Sequence, residues 1–334
     1  MHKGVVKPDF SALHVLSNDP WSYVELFLKR SKSTDALAYW VQARRFCDAS
    51  KELGPEAAPL TLYYTFLNAT KALLSHKGLP HSDNHGVGGE RPENARTSLA
   101  NETVKFKGGG VLPALCRYFG ESVGAADQYS LRDILWNIPF IHRAFCLSFR
   151  ASQELFIPLE GAKYVKHDHN REAWFQAQIV PRYADGRQLA SIPGSFETWE
   201  KDGRTIVQRR KRFRWYHGRC NANDKKEAVA RLAAYHASTR RVICNISGDR
   251  DLWYLKKDLA NNPVGSRHTI CLIFAAMHRL SELSRYDPKG LERHLASQAN
   301  WLLVEFIDHS LDQFIDQIAT EITGFQFWPP KLRS

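Results

Sequence analysis

The stretch IVQRRKRFRWYHGR, residues 206–219, holds the densest group of side chains in this sequence that could do chemistry. Five of the six residues in 209–214 are Arg or Lys. On a β-strand, alternate residues share a face and lie about 7 Å apart, and a guanidinium suits a phosphate well. The pattern therefore predicts a phosphate-binding row formed by Arg210, Arg212 and Arg214.

Two aromatic residues, Trp215 and Tyr216, follow this row and could stack on an unpaired base. In the alternative interpretation, the arginines form ion pairs with Glu197, with Glu200 or with the acidic C-terminal helices. The same pairing between copies, or with another protein, would make the basic hairpin a surface for homo-oligomers or a protein partner. Nucleic acid and protein both stay open as partners at this point.

A second candidate site is a cleft near the first long loop. His85 is expected to anchor that loop or to contact a substrate, and Asn68 and Lys71 on the preceding helix are close enough to line the same cleft. Arg285 completes the candidate cleft from the end of a later helix. It is expected to bond the last carbonyls of that helix or a carboxylate, with a functional Arg285–His294 pair as the alternative.

Histidine groups could also bind a metal, since His and Asp are good zinc ligands. The candidates are His76, His81, Asp83 and His85 in the loop, and His167, Asp168 and His169 further along. Neither group has an established zinc spacing or a nearby Cys, and adjacent residues on a strand point apart. We therefore predict no metal site.

A glycine run, Gly108–Gly110, lies between a predicted strand and a predicted helix and could cradle a phosphate on backbone amides. It lacks the Lys-Ser/Thr of a P-loop and the spacing of a dinucleotide-binding loop, so a tight turn is favoured. No protease, kinase or hydrolase motif is present. We predict no cofactor and assign no catalytic residue.

The elements that must position these residues follow from the spacing of apolar side chains. A helical period dominates the first part of the chain, an alternating period replaces it, and the helical period returns after Pro263. We predict an α+β fold with a mainly helical body built from both chain ends and a basic β-rich insertion. The predicted parts are residues 1–151, 152–262 and 263–334.

Local signals refine this outline. Asp202-Gly203 lies between two alternating runs and predicts a tight hairpin turn. Pro139 is expected to kink or divide a helix, and Asn223 is expected to cap the helix inside the insertion. Asp287, which precedes Pro288, is expected to start one of the C-terminal helices.

The charge of the chain is uneven. Its 334 residues include 46 Lys and Arg against 35 Asp and Glu, a net charge of +11. Residues 163–219 carry a net +7, whereas residues 287–321 carry a net −5. The excess favours an anionic partner. Six scattered cysteines without a C-x-x-C pair, and no apolar run of about 18 residues, predict reduced thiols, no membrane span and a cytoplasmic location.

The order of several segments resembles the YaaC-like family of bacterial proteins. They are PLTLYYTFLNATKALLSHKGL, then HGVGG, then SLRDILWNIPFIH, and near the end SRYDPKGLERH followed by a long helix. The resemblance runs over most of the chain. It implies a bacterial cytoplasmic protein and says little about chemistry.

The helix with YY and KALL, followed by a loop containing His, is also similar to HEPN-type helical domains. Some HEPN proteins are metal-independent ribonucleases with an Arg-x4–6-His motif, in which His acts as a base and Arg stabilises charge on the phosphate. Arg212 with His217, and Arg231 with His236, match that spacing. On a strand the first pair points apart, and on a helix the second pair lies about 140° out of line.

The leading hypothesis is a non-catalytic protein that binds nucleic acid, RNA or a single strand, as a component of a bacterial nucleic-acid-processing or defence assembly. One alternative is a protein-interaction or oligomerisation subunit. A second alternative is a metal-independent HEPN-type ribonuclease.

Overall fold

The computed structural model describes residues 1, 15–16, 19–124, 127–150, 152–167, 169–216, 221–248, 252–265 and 267–328. Helices in this part of the chain are α1 (Pro20–Arg30), α2 (Thr34–Ser50), α3 (Ala58–His76), α4 (Val111–Tyr118), α5 (Leu131–Trp136), α6 (His142–Ser148), α7 (Gly186–Leu189), α8 (Ala222–Thr239), α9 (Thr269–Tyr286), α10 (Pro288–Leu295) and α11 (Asn300–Thr323). Together with the sheets below, they confirm the predicted α+β class.

The strands are β1 (Val15–Leu16), β2 (Val87–Glu90), β3 (Thr103–Phe106), β4 (Gln128–Ser130), β5 (Phe156–Lys166), β6 (Glu172–Ile179), β7 (Phe196–Lys201), β8 (Arg204–Arg209), β9 (Phe213–Arg214), β10 (Ile243–Ile246), β11 (Leu252–Lys256) and β12 (Phe327–Trp328). The largest sheet has the order β10-β11-β5-β6-β8-β7, with β9 paired to β6. Strands β2, β3 and β4 form a small antiparallel sheet, and β1 pairs in parallel with β12.

Helix starts follow the sequence signals. The Asp19 carboxylate accepts hydrogen bonds from the N–H groups of Trp21 (2.9 Å) and Ser22 (3.3 Å), which caps α1. Asp287 caps α10 in the same way, as predicted, through the N–H of Gly290 at 3.0 Å. Pro139 divides a predicted helix into α5 and α6, because a proline ring cannot continue the ladder of hydrogen bonds.

One predicted cap was wrong. Helix α8 starts two residues earlier than expected, so the side chain of Asn221, and not that of Asn223, accepts the N–H of Asp224 at 2.8 Å. Both residues are suitable caps. Local sequence does not decide between them.

Both ends of the chain build the helical body, as predicted. Its buried core includes residues of α1, α2 and α3 together with residues of α9, α10 and α11. The Phe66 ring on α3 stacks on the Phe314 ring on α11 with centroids 4.2 Å apart. A single apolar core therefore joins segments that are far apart in sequence.

The large sheet has its own core. Phe175 and Val207 lie on the sheet face that packs against Tyr235 of α8. Polar contacts tie this part to the helical body, because Arg240, just after α8, forms a buried ion pair with Glu321 of α11. The hydroxyl of Ser247 also hydrogen-bonds to Asp316. Part of the acidic charge of α11 is thus satisfied inside the chain.

Candidate functional site

The hairpin that carries the arginines is formed as predicted. Strands β7 and β8 pair antiparallel, with Lys201 opposite Arg204 and only Asp202 and Gly203 between them. Both turn residues have positive φ, 49° and 70°, as a type I′ turn requires. Glycine adopts this backbone without strain, and the turn fixes which residues face each other across the hairpin.

The predicted continuous strand through the arginines was wrong. Strand β8 ends at Arg209, and β9 begins at Phe213 after a connection that is not a strand. Opposite Arg209 lies Phe196, the first residue of β7, and the N–H of Arg210 still donates to the carbonyl of Ser195 at 2.9 Å. The side chain of Arg212 then donates to the carbonyl of Arg209 at 2.7 Å, which stabilises the bend.

Because of this bend, Arg210, Arg212 and Arg214 do not form one row. Arg210 and Arg212 both pair with Glu197, at 3.4 and 3.3 Å. Arg214 is exposed, and its backbone carbonyl accepts a hydrogen bond from Arg231 at 3.0 Å. The predicted internal partner Glu197 is thus confirmed for two of the three arginines.

Arg209, which begins the basic run, has a structural role. Its guanidinium lies 4.7 Å from the centroid of the Tyr235 ring and donates to the hydroxyls of Ser238 (2.8 Å) and Thr239 (2.7 Å). These contacts fasten α8 to the edge of β8. The guanidinium of Arg209 is therefore engaged in contacts within the protein.

Trp215 and Tyr216 lie next to each other at the end of the run. Their ring centroids are 4.8 Å apart with an angle of 30° between the planes, and both are half-buried. Phe213 contacts the Trp215 ring edge-on at 6.2 Å and the Tyr235 ring at 4.6 Å. This pair is an aromatic patch anchored to α8.

The strand register reveals a surface that the sequence interpretation missed. Directly paired residues of antiparallel strands share a face, and Gln176 is opposite Gln208, which is opposite Glu197. In the next row Gln178 is opposite Ile206, which is opposite Trp199. We call this side of β6, β7 and β8 the outer face. The outer face includes Trp174, Gln176, Gln178, Glu197, Trp199 and Gln208.

Alternation along β6 separates the two sides of the sheet. Phe175 and Ala177 are buried, whereas Trp174, Gln176 and Gln178 are partly exposed. The segment AWFQAQIV carried this signal in its alternation of polar and apolar residues. The sequence interpretation used the alternation only to identify a strand.

Two arginines, Arg204 and Arg212, contact side chains of the outer face. The Arg212 guanidinium lies 4.4 Å from the centroid of the Trp174 ring, a cation–π contact. Arg204 donates to the Gln178 side chain at 3.1 Å. The Trp174 Nε1 is buried and has no hydrogen-bond partner in the part of the chain that the structure describes. The outer face combines indole rings, amides and guanidiniums.

The predicted cleft residues lie apart from this surface. Asn68 is buried, and its amide donates to the carbonyl of Tyr64 at 2.8 Å. Lys71 pairs with Asp83 at 3.0 Å. Arg285 donates to the carbonyl of Ser281 at 3.3 Å, as expected for an arginine at the end of a helix.

His294 does not share a site with Arg285, whereas His85 lies close enough to Arg285 for the charge of that arginine to act on it. His294 lies 2.9 Å from a carboxylate oxygen of buried Glu102, so it belongs to a separate ion-pair network. The His85 ring packs against Tyr63 at 5.3 Å and His278 at 5.7 Å between centroids. Burial, and then the positive charges of Arg285, Lys71 and Lys107, lower the pKa of His85.

The loop histidines have separate partners within the protein. His76 bonds to Ser33 at 3.0 Å, and His81 bonds to the carbonyl of Leu79 at 3.2 Å. Further along, a ring nitrogen of His167 accepts the N–H of His169 at 3.1 Å, and Asp168 lies outside the described residues.

Two other groups bring ligand-type atoms within reach of each other in the described ranges: Cys116, Glu121 and Cys271, and His142, Cys146 and Glu154. In the second group the N–H of Leu155 donates to His142 Nε2 at 2.9 Å, so that nitrogen is already used. Burial lowers the pKa of His142 to about 4 and raises that of Cys146 to about 11. The hydrogen bond to His142 gives the second group a structural role.

Arg231 and His236, one of the two Arg-x4-His matches, have different partners in the structure. Arg231 pairs with Glu227 at 3.1 Å, while buried His236 bonds to the hydroxyl of Tyr164 at 2.6 Å. The other match, Arg212 with His217, includes a residue that lies outside the described residues.

The glycine run forms a turn and does not offer a free cradle of amides. The first amides of α4, those of Val111 and Leu112, donate to the carbonyls of Asn84 (2.9 Å) and His85 (3.0 Å). In a phosphate cradle, these same amides would have to donate to the phosphate, so they are not available for it. The run therefore holds the loop of His85 in place.

Comparisons with known proteins complete the description. Within the described residues, no helix combines the length and the apolar character needed to cross a bilayer. No curated protein and no solved structure matches the chain, so the resemblance to HEPN domains stays a prediction. The family model described as YaaC-like Protein matches residues 13–322. Since this match covers nearly the whole chain, the protein belongs to the YaaC-like family.

Proposed function

We propose that this protein binds single-stranded nucleic acid, RNA in the first instance, on the outer face of its large sheet. The observation that carries the proposal is the contact of the Arg212 guanidinium with the Trp174 ring, on a face that also presents three glutamines and Trp199. Proteins bind single strands by stacking bases on aromatic rings and by placing cations along the backbone. Glutamine amides add donors and acceptors for base edges.

The distribution of charge supports a backbone contact of limited size. Arg210 keeps 60% of its side chain exposed, and Arg204, Lys211 and Arg214 are exposed as well. Glu197 neutralises part of this charge. Neutralising about three phosphates of a single strand gives a slope of about −2 in log affinity against log salt.

The protein is proposed to act in the bacterial cytoplasm without catalysis, as the nucleic-acid-binding component of a processing or defence assembly. Support for the absence of catalysis comes from the contacts of the Arg-x4-His candidate on α8, whose members are engaged with different partners. The acidic helix α11 uses Asp316 and Glu321 in contacts within the chain. This makes it a weaker partner for the basic hairpin of another copy.

The test is fluorescence anisotropy with a labelled single-stranded RNA of about 12 nucleotides at about 50 mM salt, followed by a salt titration. Trp174→Ala and Arg212→Ala are each expected to weaken binding at least about fivefold, since each removes a stacking or phosphate contact. Trp301→Ala is the matched control, because Trp301 is an exposed tryptophan on α11. It should leave the affinity unchanged.

Two outcomes would overturn the proposal. One is the absence of affinity for RNA and DNA at low salt with a folded protein. The other is a self-association, measured by sedimentation, that the same two substitutions abolish while RNA does not bind. The second outcome would assign the outer face to a protein interface instead.

A further inference from the structure

A second group of polar side chains lies inside the helical body, where α3 and α9 pack against the loop of His85. The Tyr63 ring contacts the rings of His278 at 4.8 Å and His85 at 5.3 Å between centroids. Tyr63 and His278 are buried, and His85 is half-buried above them. The three rings form an aromatic and imidazole cluster that connects the core to the surface.

Two polar atoms of this cluster have no hydrogen-bond partner within the described residues, namely Tyr63 Oη and His278 Nδ1. The Glu282 carboxylate lies 3.7 Å from His278 Nδ1, beyond hydrogen-bond length, and is already held by Arg279 at 3.0 Å. Buried polar groups are nearly always satisfied, so two orphan atoms in one cluster require an explanation. A bound ligand with oxygen atoms would provide it.

The charge around the cluster is positive. Lys107 is exposed and Arg285 half-buried, and neither forms an ion pair with a described residue. Burial, followed by the charges of His85 and Arg285, lowers the pKa of His278 to about 3, so both imidazoles are neutral at physiological pH. The groups that face the cluster are Lys71 on α3, Lys107 after β3, and Arg279, Glu282 and Arg285 on α9.

The loop that carries His85 is held rigidly. Gly86 has φ +76°, and a Cβ at this position would lie 2.3 Å from Pro113 Cδ, so only glycine fits. The carbonyl of His85 accepts the N–H of Leu112 at 3.0 Å. The imidazole is thus fixed over Tyr63 before any ligand arrives, which reduces the entropic cost of binding.

We propose that the cluster of Tyr63, His85 and His278, with Arg285 and Lys107 at its rim, binds the phosphate group of a phosphate monoester. A phenol hydroxyl and an imidazole N–H are neutral donors to phosphate oxygens, and the two cations balance the charge. The site is separate from the outer face and does not rest on RNA binding there. Free phosphate and the 5′-phosphate of a nucleotide chain share this chemistry, and the experiment distinguishes them.

The test is calorimetric titration of the full chain with inorganic phosphate, and in a second arm with a 5′-phosphorylated or unphosphorylated oligonucleotide. Phosphate is expected to bind with a Kd of about 1 mM or tighter. Arg285→Gln and Lys107→Ala should each weaken it about tenfold, the effect of one lost charge-assisted contact. Arg293→Gln, an exposed arginine of α10, is the matched control and should have no effect.

Tyr63→Phe separates a ligand site from a merely unsatisfied hydroxyl, because it removes only the orphan oxygen. We expect phosphate affinity to fall about tenfold while the melting temperature of the free protein stays the same or rises. Proton uptake on binding, measured in buffers of different ionisation enthalpy, should also appear, since an anion favours protonated imidazole.

The proposal is overturned if phosphate does not bind at about 10 mM and Tyr63→Phe only raises the melting temperature. That result would mean that an ordered water satisfies the two atoms. If free phosphate binds and the 5′-phosphate makes no difference to the oligonucleotide, the ligand is a small phosphate compound. Trp174→Ala should leave phosphate binding unchanged, so a failure of RNA binding on the outer face remains distinguishable.

Discussion

Two regions of the molecule pair arginine with glutamate, and they differ in burial. In the helical body, Glu102 is fully buried and is held by Arg91 (2.8 Å), Arg279 (2.7 Å) and His294 (2.9 Å). On the sheet, Glu197 keeps 33% of its side chain exposed and meets two arginines at 3.3 and 3.4 Å. Both groups pair arginine with glutamate, but only the carboxylate of the first group is fully buried.

The difference shows how burial decides what an ion pair does. Burial alone would raise the pKa of Glu102, yet hydrogen bonds from His294 and Arg279 lower it to about 2. A buried carboxylate of this kind is fixed, because removing any member leaves an unpaired charge. An exposed pair is weak and exchanges partners with little cost. The buried network of Glu102 thus uses Arg91 and Arg279 for structure, whereas the exposed pairs of Glu197 leave Arg210 and Arg212 available.

The largest effect is expected for Glu102→Gln. It leaves two arginines and a histidine facing a neutral amide in a buried place, and we expect a loss of about 3–5 kcal/mol in the free energy of unfolding. Urea denaturation monitored by circular dichroism measures it. Glu197→Gln is the control, with an expected loss below about 1 kcal/mol. Equal losses would show that burial does not separate the two regions.

A change of pH tests the same contrast, since it acts on buried groups of the body. His142 and His278 have pKa values lowered to about 4 and about 3, mainly by burial. The unfolded state therefore binds more protons than the folded state between these values and the ordinary pKa of about 6.5. Stability should fall as the pH drops from about 6.5 towards 4, by up to about 1.4 kcal/mol per pH unit for each histidine.

The measurement is urea unfolding at a series of pH values. His142→Gln should reduce the slope by about one proton, because one buried histidine with a lowered pKa no longer titrates. Below the ordinary pKa of glutamate, protonation of Glu102 adds a further loss, since its pKa is also lowered. An unchanged slope in His142→Gln would contradict the assignment of this window to buried histidine.

Local signals explain why much of the fold was predictable. A cap such as Asp19, the breaker Pro139 and the turn Asp202-Gly203 act within a few residues, so the sequence alone contains their physical cause. The helical stripes likewise identify the faces that meet in the core. The class of the fold and the origin of its body at both chain ends follow from these signals.

The candidate surfaces were harder to predict, because their residues meet through the fold. Arg212 lies in the connection between β8 and β9, and it contacts Trp174 of β6 across the sheet. His278 meets Tyr63 through the packing of α9 on α3. No local spacing records such contacts. Alternation in β6 was the one available hint of the outer face.

The smallest expected effect is a change in RNA affinity caused by Glu197→Gln, and it tests the comparison of the two regions most directly. In Glu197→Gln, Arg210 and Arg212 lose their shared carboxylate while the amide keeps a similar shape. If the outer face binds RNA, both guanidiniums become freer to contact phosphate and a local negative charge disappears. Affinity should then rise about two- to fivefold at low salt, with a steeper salt dependence.

This sign distinguishes binding from structural pairing. A pair that serves only to hold the hairpin would respond to Glu197→Gln with a small loss of stability and no gain in affinity, whereas a binding surface gains affinity despite that loss. Glu52→Gln, at an exposed glutamate after α2, is the control for a general change in charge, because it also raises the net charge by one. Anisotropy titrations of the two variants against the unaltered chain decide the matter, because only a local effect at the outer face makes the affinity for RNA rise more in Glu197→Gln than in Glu52→Gln.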